Sequence, residues 1–599
     1  MSLTKKIWNN KFFLVILSFL TTVCLQQCIQ LGDNHLSYTN SLFSVVIFGI
    51  YLYGILKITG NKDYAEHILS LHKVGMLFSF LLTSSLIVGS QLNSYGYFNF
   101  KSIGSYLSIV VLSISFSPFF AWLLYKLNSQ KMPVSPQTIS RKKFIKIMLL
   151  LMLAYIPVLL AVWPGFFCYD AEAETYMVFT NKYSAHHPIL HVVMLGWIMR
   201  IFFRIIPSYN FGIAVYLLIQ MLVVSACFSY MICFLKRIGV RKWITAVGTL
   251  FLAFFPTVSM FVCCTTKDVY FTSGLVLFTT LLLELAYEGD AFWHNKKKKL
   301  LMALSLLMIL LFRNNGVYAL VLFLPFFALV YKKTWKHWIK IVLPVIAFYF
   351  VFNTAMHAAF HVTPGEKAEM LCVPMQQLAR VHEEAIECFN EEDLEIMYSL
   401  IPKSILENYN PKLADTIKVN FLEDNFKAEP MKYIKLWLRM GLKRPDIYIN
   451  SVLMNTYDYW YPDTVVDGYT GFKLVTRYYE DSSYFAFETE PPGARHSLIP
   501  FLEHFYEKIS LEIYQHNIPV ISQLFSMGFW LFTYIFTILY LLKMKYRKQA
   551  FAFLPIGFVF FTVLLGPIAI VRYVLYLFFL APLIPALLFH TNAFIQNNK

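Results

Sequence analysis

The chain has 599 residues, 58% of them hydrophobic and only 14% charged, with a mean hydropathy of +0.55. Soluble domains carry roughly a quarter charged residues, so the composition excludes an ordinary soluble globule and points to a membrane-embedded protein. The net charge of +16 does not imply a nucleic-acid partner, because Lys and Arg fall in short loops between apolar runs, where they meet anionic membrane lipids.

From the N-terminus, apolar runs near the roughly 20 residues that hydrocarbon requires fall at 12–30, 41–58, 74–91, 103–126 and 145–163. Others follow at 211–235, 243–263, 269–287, 299–312, 316–331 and 338–357, and the last at 516–542, 551–569 and 571–590. The first lacks a small-x-small cleavage pattern and reads as an uncleaved span. The pair around "FRNNG" is either two spans with a tight turn or one broken helix. The pattern predicts an all-α polytopic membrane protein of about 13–14 transmembrane helices, with an α-rich extracytoplasmic domain inserted before the last three. Its divisions are 1–130 (four N-terminal transmembrane helices), 145–357 (a membrane core with an extracytoplasmic loop at 164–210), 358–515 (the soluble insertion) and 516–599 (C-terminal helices). Nine cysteines are scattered without metal-ligand spacing; Cys372 and Cys388 share the insertion and are the pair a disulfide would use.

Loop charge orients the chain. Lys5 and Lys6 place the N-terminus in the cytoplasm. The apolar segment 188–206 is read as lying along the outer surface, because only then do the later basic loops, including "KRIGVRK", "HNKKKK" and "KMKYRK", all fall inside. Arg200 and Arg204, four apart, share one face of that helix as an interfacial helix requires. The predicted location is the cell membrane, multi-pass, with both termini cytoplasmic.

On this topology the unusual polar residues collect at the outer face. "CYDAEAE" supplies Asp170, Glu172 and Glu174; "SAHHP" supplies His186 and His187; "TTKDVYF" supplies Lys267 and Asp268; Arg313 and Arg572 stand at later outer turns. A carboxylate there can take a proton from an acceptor hydroxyl, and Lys or Arg can hold a phosphate and stabilise it as a leaving group. Each residue also has an ordinary reading: a solvated loop acid, a Pro-started helix, an interfacial ion pair or a snorkelling arginine. Their agreement on one face carries the argument, and it requires Asp170, Asp268 and Arg572 to converge.

"PGFFCYDAEAE", "SAHHPILHVVMLG", "TTKDVYF", "FRNNGVYA", "VPMQQLAR", "NTYDYWYPD" and "VRYVLY" together resemble a bacterial branch of the GT-C superfamily of polytopic glycosyltransferases, from about Tyr155 to the C-terminus. The resemblance implies a polyprenyl-phosphate-linked sugar as donor and an envelope glycan or lipid as acceptor. It assigns the catalytic acid to Asp170, with Glu172 or Glu174 as second candidate, and a later acid to Asp268. Lys267, Arg313 or Arg572 would hold the donor phosphate, and His186 and His187 are candidates for substrate or metal contact. A divalent cation between Asp170, Asp268 and His187 is compatible with this pattern but not required by a monophosphate donor.

Two other readings compete. A transporter or flippase of a lipid-linked envelope precursor predicts ionisable groups at mid-membrane, and Glu284 in "LLLELAYEG" is its candidate. A structural envelope protein gives no reason for acids and cations to share a face.

Overall fold

The computed structural model describes residues 3–28, 42–129, 132–365, 367–467, 472–474, 477–479, 487 and 489–594. Apart from a short antiparallel pairing of Phe472–Leu474 with Arg477–Tyr479, its regular structure is helical. The principal helices begin with α1 (Lys11–Leu25), α2 (Leu42–Thr59), α3 (His72–Tyr95), α4 (Ile103–Ser129) and α5 (Arg141–Ala161). Next come α6 (Ala171–Thr180), α7 (Ile189–Ile205), α8 (Tyr209–Arg237), α9 (Lys242–Phe254) and α10 (Lys267–Glu288). Then follow α11 (Lys296–Phe312), α12 (Asn315–Val330), α13 (Trp335–Ala359), α14 (Cys372–Glu384), α15 (Pro430–Lys443) and α16 (Pro445–Trp460). The series ends with α17 (Pro500–Ser510), α18 (Met527–Lys543) and α19 (Leu554–Val563).

Among the described residues, seven helices are long and apolar enough to cross a membrane: α2, α3 with the turn before it, α4, α5, α8, α10 with the turn after it, and α13. An eighth span results if α9 and Pro256–Val262, bent by 55°, count as one. This is an α-helical membrane protein, but among the described residues the expected 13–14 full spans are not found. Hydropathy registers apolar side chains and misses backbone breaks. The run 571–590 divides into a turn at Val571–Val574 and short helices at Tyr576–Phe579 and Leu583–Phe589, the last break ending at Pro582, which lacks the N–H a continuing helix needs. Such backbone survives at membrane depth only inside protein, and here Leu575, Phe578, Leu583 and Leu587 are all fully buried. Helix α7, read from sequence as surface-lying, packs on α6, α8 and α13 and is too short, at 17 residues, to stand among the spans.

The chain divides into two compact units. The first comprises residues 1–132, 457–464 and 526–547. Within it, Thr21 meets Ser115 at 2.6 Å and Thr83 meets Ser113 at 3.0 Å. Lipid provides no hydrophobic force between helices, so small residues and hydroxyl bonds do this work. Helix α18, grouped from sequence with the C-terminal helices, packs on α3 in this unit, with Phe78 and Phe536 rings 5.1 Å apart.

The second unit holds the remainder. Its centre is α10, flanked by α8 and α11, with 94% of its apolar stretch buried. The segment 358–515 carries a hydrophobic core of its own, in which Leu378, Met397, Leu436 and Met440 are almost wholly excluded from solvent. Cys372 and Cys388 within it are free thiols.

Glu284, near the C-terminus of α10, is fully buried. It accepts hydrogen bonds from Tyr230 and Arg237 and lies 2.7 Å from the Lys298 ammonium. Breaking a buried pair by removing one partner costs about 3–5 kcal/mol. Because Arg237 is 38% exposed, Glu284→Gln is expected to cost about 2–3 kcal/mol. Thermal unfolding of the purified protein checks this, and an unchanged midpoint would mean the cluster contributes nothing to the fold.

Candidate functional site

Two loops meet to make the site, and glycine lets them meet. Gly165 has φ +125°, and a Cβ there would lie 1.9 Å from the Leu217 side chain and 3.1 Å from the Cys263 carbonyl. With that space clear, Phe166 N–H donates to Cys263 O at 2.9 Å and Thr265 N–H donates to Phe166 O at 3.0 Å. This pairing brings the segment before Asp170 against the segment before Lys267. Tyr169 takes a left-handed φ of +66°, uncommon for a bulky residue, and holds its ring 4.5 Å from the Arg572 guanidinium. Asp170 then precedes α6, whose Glu172 N–H is capped by the buried Glu490 carboxylate at 3.0 Å.

Lys267 starts α10 and Arg313 follows the last residue of α11. The turn after Arg313 needs a glycine, because a Cβ on Gly316 would sit 2.2 Å from Ile309 O. Arg572 lies in the broken segment after Pro567. The Lys267 ammonium is 2.5 Å from Asp170, 3.2 Å from Glu174 and 3.0 Å from His187 Nδ1. One Arg572 nitrogen is 3.0 Å from Asp170 and 3.9 Å from Asp268, so Asp170, Asp268 and Arg572 do converge. Arg313 holds Asp268 at 2.5 Å and stands over the Tyr573 ring.

These groups border a cavity of about 490 Å³ lined on one side by Asp170, His187, Lys267, Arg313 and Arg572. Glu174 and Asp268, each 1% exposed, lie behind the cations and do not line it. Glu172, half-buried, is also outside the lining. His186 faces the other wall, which the 358–515 segment supplies: its ring is 3.6 Å from Glu369, and Lys418 lies 2.7 Å from Glu369 and 2.6 Å from Asp415. That wall is tied to the bundle by Ala414 N–H to Pro567 O at 2.8 Å and Ala185 N–H to Thr363 O at 2.8 Å.

Behind the cavity a chain of hydrogen bonds anchors Glu174. Its carboxylate bonds His191 Nδ1, and His191 Nε2 lies 2.7 Å from the Tyr216 hydroxyl. That hydroxyl donates to Gln220 at 3.2 Å, and the Gln220 amide donates to the carbonyls of Val262 and Cys264. His191, Tyr216, Glu490, Glu369, Asp415 and Lys418 were not singled out from sequence. His187 precedes α7 and His191 lies in its first turn, and three histidines within six residues, 186–191, are the available signal. Nothing in sequence marks Lys418 or Glu490 above other polar residues of the insertion.

Electrostatics fix the charge states. Burial pushes the Asp170 carboxyl up, but Arg572, Lys267 and His187 outweigh it and hold it well below the usual range. Burial likewise raises Glu174, and His191 and Lys267 overcome it, leaving it at about 2. Burial and the neighbouring Lys267 ammonium bring His187 down to about 3. An ammonium can only donate, so His187 Nδ1 is the acceptor and its proton sits on Nε2.

These directions set the acid response. Unfolded His187 protonates near pH 6.5, while the folded ring stays neutral to about 3, so stability is lost as pH falls below about 6.5. A second loss follows as the pH drops through the carboxylate range, because unfolded Asp170 and Glu174 take up protons that the folded state refuses. Thermal unfolding against pH should show both stages, and His187→Gln should shrink the first, leaving the share of His382, which burial also holds below the usual histidine range.

Asp170, Glu174 and His187 also present ligand atoms within 4.8 Å of one another, the geometry of a cation site. The Lys267 ammonium occupies its centre, so the triad as built holds a fixed organic cation and does not fit a divalent ion. The set Asp170, Asp268 and His187 is not gathered either, because Asp268 is taken by Arg313 and Thr266.

Fold and site together define a polytopic helical membrane protein with an ion-lined cavity at one end of its bundle. The chain belongs to the family of unknown function DUF6020, whose pattern matches residues 174–596. No curated protein and no solved structure matches it.

Proposed function

We propose that the protein is a GT-C-type glycosyltransferase that moves a sugar from a polyprenyl-phosphate donor to an envelope acceptor at the extracytoplasmic face. The observation that carries this reading is the shared cavity, where one ionised carboxylate, Asp170, stands among Lys267, Arg313 and Arg572 beside a polar wall. The donor phosphate binds Arg572 and Arg313, whose guanidinium groups make paired hydrogen bonds to phosphate oxygens. Engaging Arg572 draws it from Asp170. The carboxylate loses a counter-charge and becomes a stronger base when the donor is in place. Asp170 takes the acceptor hydroxyl proton, the oxygen attacks the anomeric carbon, and the bond to the phosphate oxygen breaks with inversion. The two arginines balance the charge left on polyprenyl phosphate. Glu369, Asp415, Lys418 and His186 offer alternating acceptors and donors suited to sugar hydroxyls.

The transport reading draws less support, since its candidate, Glu284, is bound by Arg237, Lys298 and Tyr230. The test compares envelope glycans from cells carrying the wild-type gene, a deletion, or Asp170→Asn at equal expression. Loss of one substituent in both altered strains supports the proposal. If Asp170→Asn restores a substituent missing from the deletion, Asp170 is not the base; three matching profiles would remove glycosyl transfer.

A further inference from the structure

A second cavity lies away from the Asp170 site, in the groove between α11 and α13, and encloses about 530 Å³. Both helices run in the same sense along it. Helix α11 starts beside Glu288, at the far end of α10, where Lys298 pairs with that carboxylate, and finishes next to Arg313 at the Asp170 cavity. At 1.5 Å per residue, Lys299 is about 20 Å along the axis from Arg313.

The lining is graded in that direction. Lys299 of α11 and His337 and Lys340 of α13 stand at the far end, and Ala303, Leu307 and Phe348 continue the groove inward. The two lysines come from different helices and face one space. The Trp293 ring stacks on His337 at 5.7 Å and holds that ring at the mouth. Only 17% of the apolar stretch of helix α13 is buried, the smallest share among the seven spans of the described residues, so the groove opens where lipid surrounds the bundle.

We propose that this groove binds one anionic phospholipid of the leaflet opposite the Asp170 cavity. The head-group phosphate sits between Lys299 and Lys340, with one acyl chain along Ala303, Leu307 and Phe348. Charge complementarity selects the occupant. Basic mouths between transmembrane helices attract anionic head groups, whereas a zwitterionic lipid brings its own cation to face the lysines. The order of charge and apolar surface along the groove follows the order of head and tail in a lipid. The site is separate from the glycosyltransferase reading and stands or falls without it.

Native mass spectrometry of the detergent-purified full chain, titrated with dioleoylphosphatidylglycerol or dioleoylphosphatidylcholine, tests the proposal. Wild type is expected to retain one phosphatidylglycerol in preference to phosphatidylcholine. Each lysine contributes about fivefold in affinity, so the double variant Lys299→Gln/Lys340→Gln should weaken phosphatidylglycerol binding by more than tenfold. Lys332→Gln/Lys333→Gln, basic residues outside the groove, should leave it unchanged. Equal retention of the two lipids, equal losses in both double variants, or no loss in either would overturn the proposal. Phosphatidylglycerol with a photoreactive acyl chain gives a second readout on unaltered protein. Labelling of α11 and α13 peptides supports the site, and labelling confined to other helices rejects it.

Discussion

On the proposed mechanism, Asp170→Asn should lower single-turnover transfer by about a thousandfold and, at the same time, tighten donor-phosphate binding. The asparagine keeps the size of the side chain but cannot take a proton, and a positioned general base contributes about 10²–10⁴-fold. The opposite effect on binding follows from charge. Asp170 occupies both Lys267 and Arg572 in the resting site, at 2.5 and 3.0 Å, and competes with an incoming anion for them. Lys267 keeps Glu174 and Arg572 keeps Asp268, so neither cation is stranded and the fold should survive. The measurements are transfer from a radiolabelled polyprenyl-phosphate sugar and equilibrium binding of polyprenyl phosphate to the same preparation. A rate loss below tenfold would remove Asp170 as the base; a loss of binding together with rate would make it a structural member of the cluster.

Lys267→Ala should convert an organic cation site into a metal site. The ammonium lies within 3.2 Å of both carboxylates and of His187 Nδ1, and those ligand atoms are within 4.8 Å of one another. Without it, Asp170 and Glu174 share buried negative charge opposed by fewer partners, a strongly destabilising arrangement. Zinc or manganese restores the missing charge and accepts this oxygen and imidazole donor set. The variant is therefore expected to melt well below wild type in chelator and to recover with added zinc, by an amount that grows with metal concentration. Wild type should show no such dependence. If zinc fails to stabilise Lys267→Ala, the three side chains depend on Lys267 for their arrangement.

Much of the site was legible in the sequence because charge in an apolar chain is conspicuous. Asp170, Lys267, Arg313 and Arg572 each stand at the edge of an apolar run, and the structure brings all four to one cavity. Their ranking was not legible. Asp268 and Glu174 read from sequence as candidates alongside Asp170, yet both lie behind the cations, and Glu172, two residues from Asp170, does not line the cavity. Which carboxylate of a short acidic stretch faces a cavity depends on the rotation of α6, which rests on packing against α7 and on partners as distant as Glu490, more than 300 positions away.

The sequence alone determined that this chain lives in a membrane, since no arrangement of so few charges could cover a soluble surface. It also placed the site residues at helix ends, because lipid confines ionisable groups there. Tertiary structure decided the rest. It broke the 571–590 run into a turn and two short buried helices, with one break at Pro582, a residue that interrupts backbone without marking the run as polar. It filled a cation site with Lys267 instead of leaving it open to a metal. It supplied the second wall from Glu369, Asp415 and Lys418, and paired Asp170 with an arginine 402 positions away. Contacts between distant helix ends depend on packing and carry no local sequence signal, so they appear only once the chain is folded.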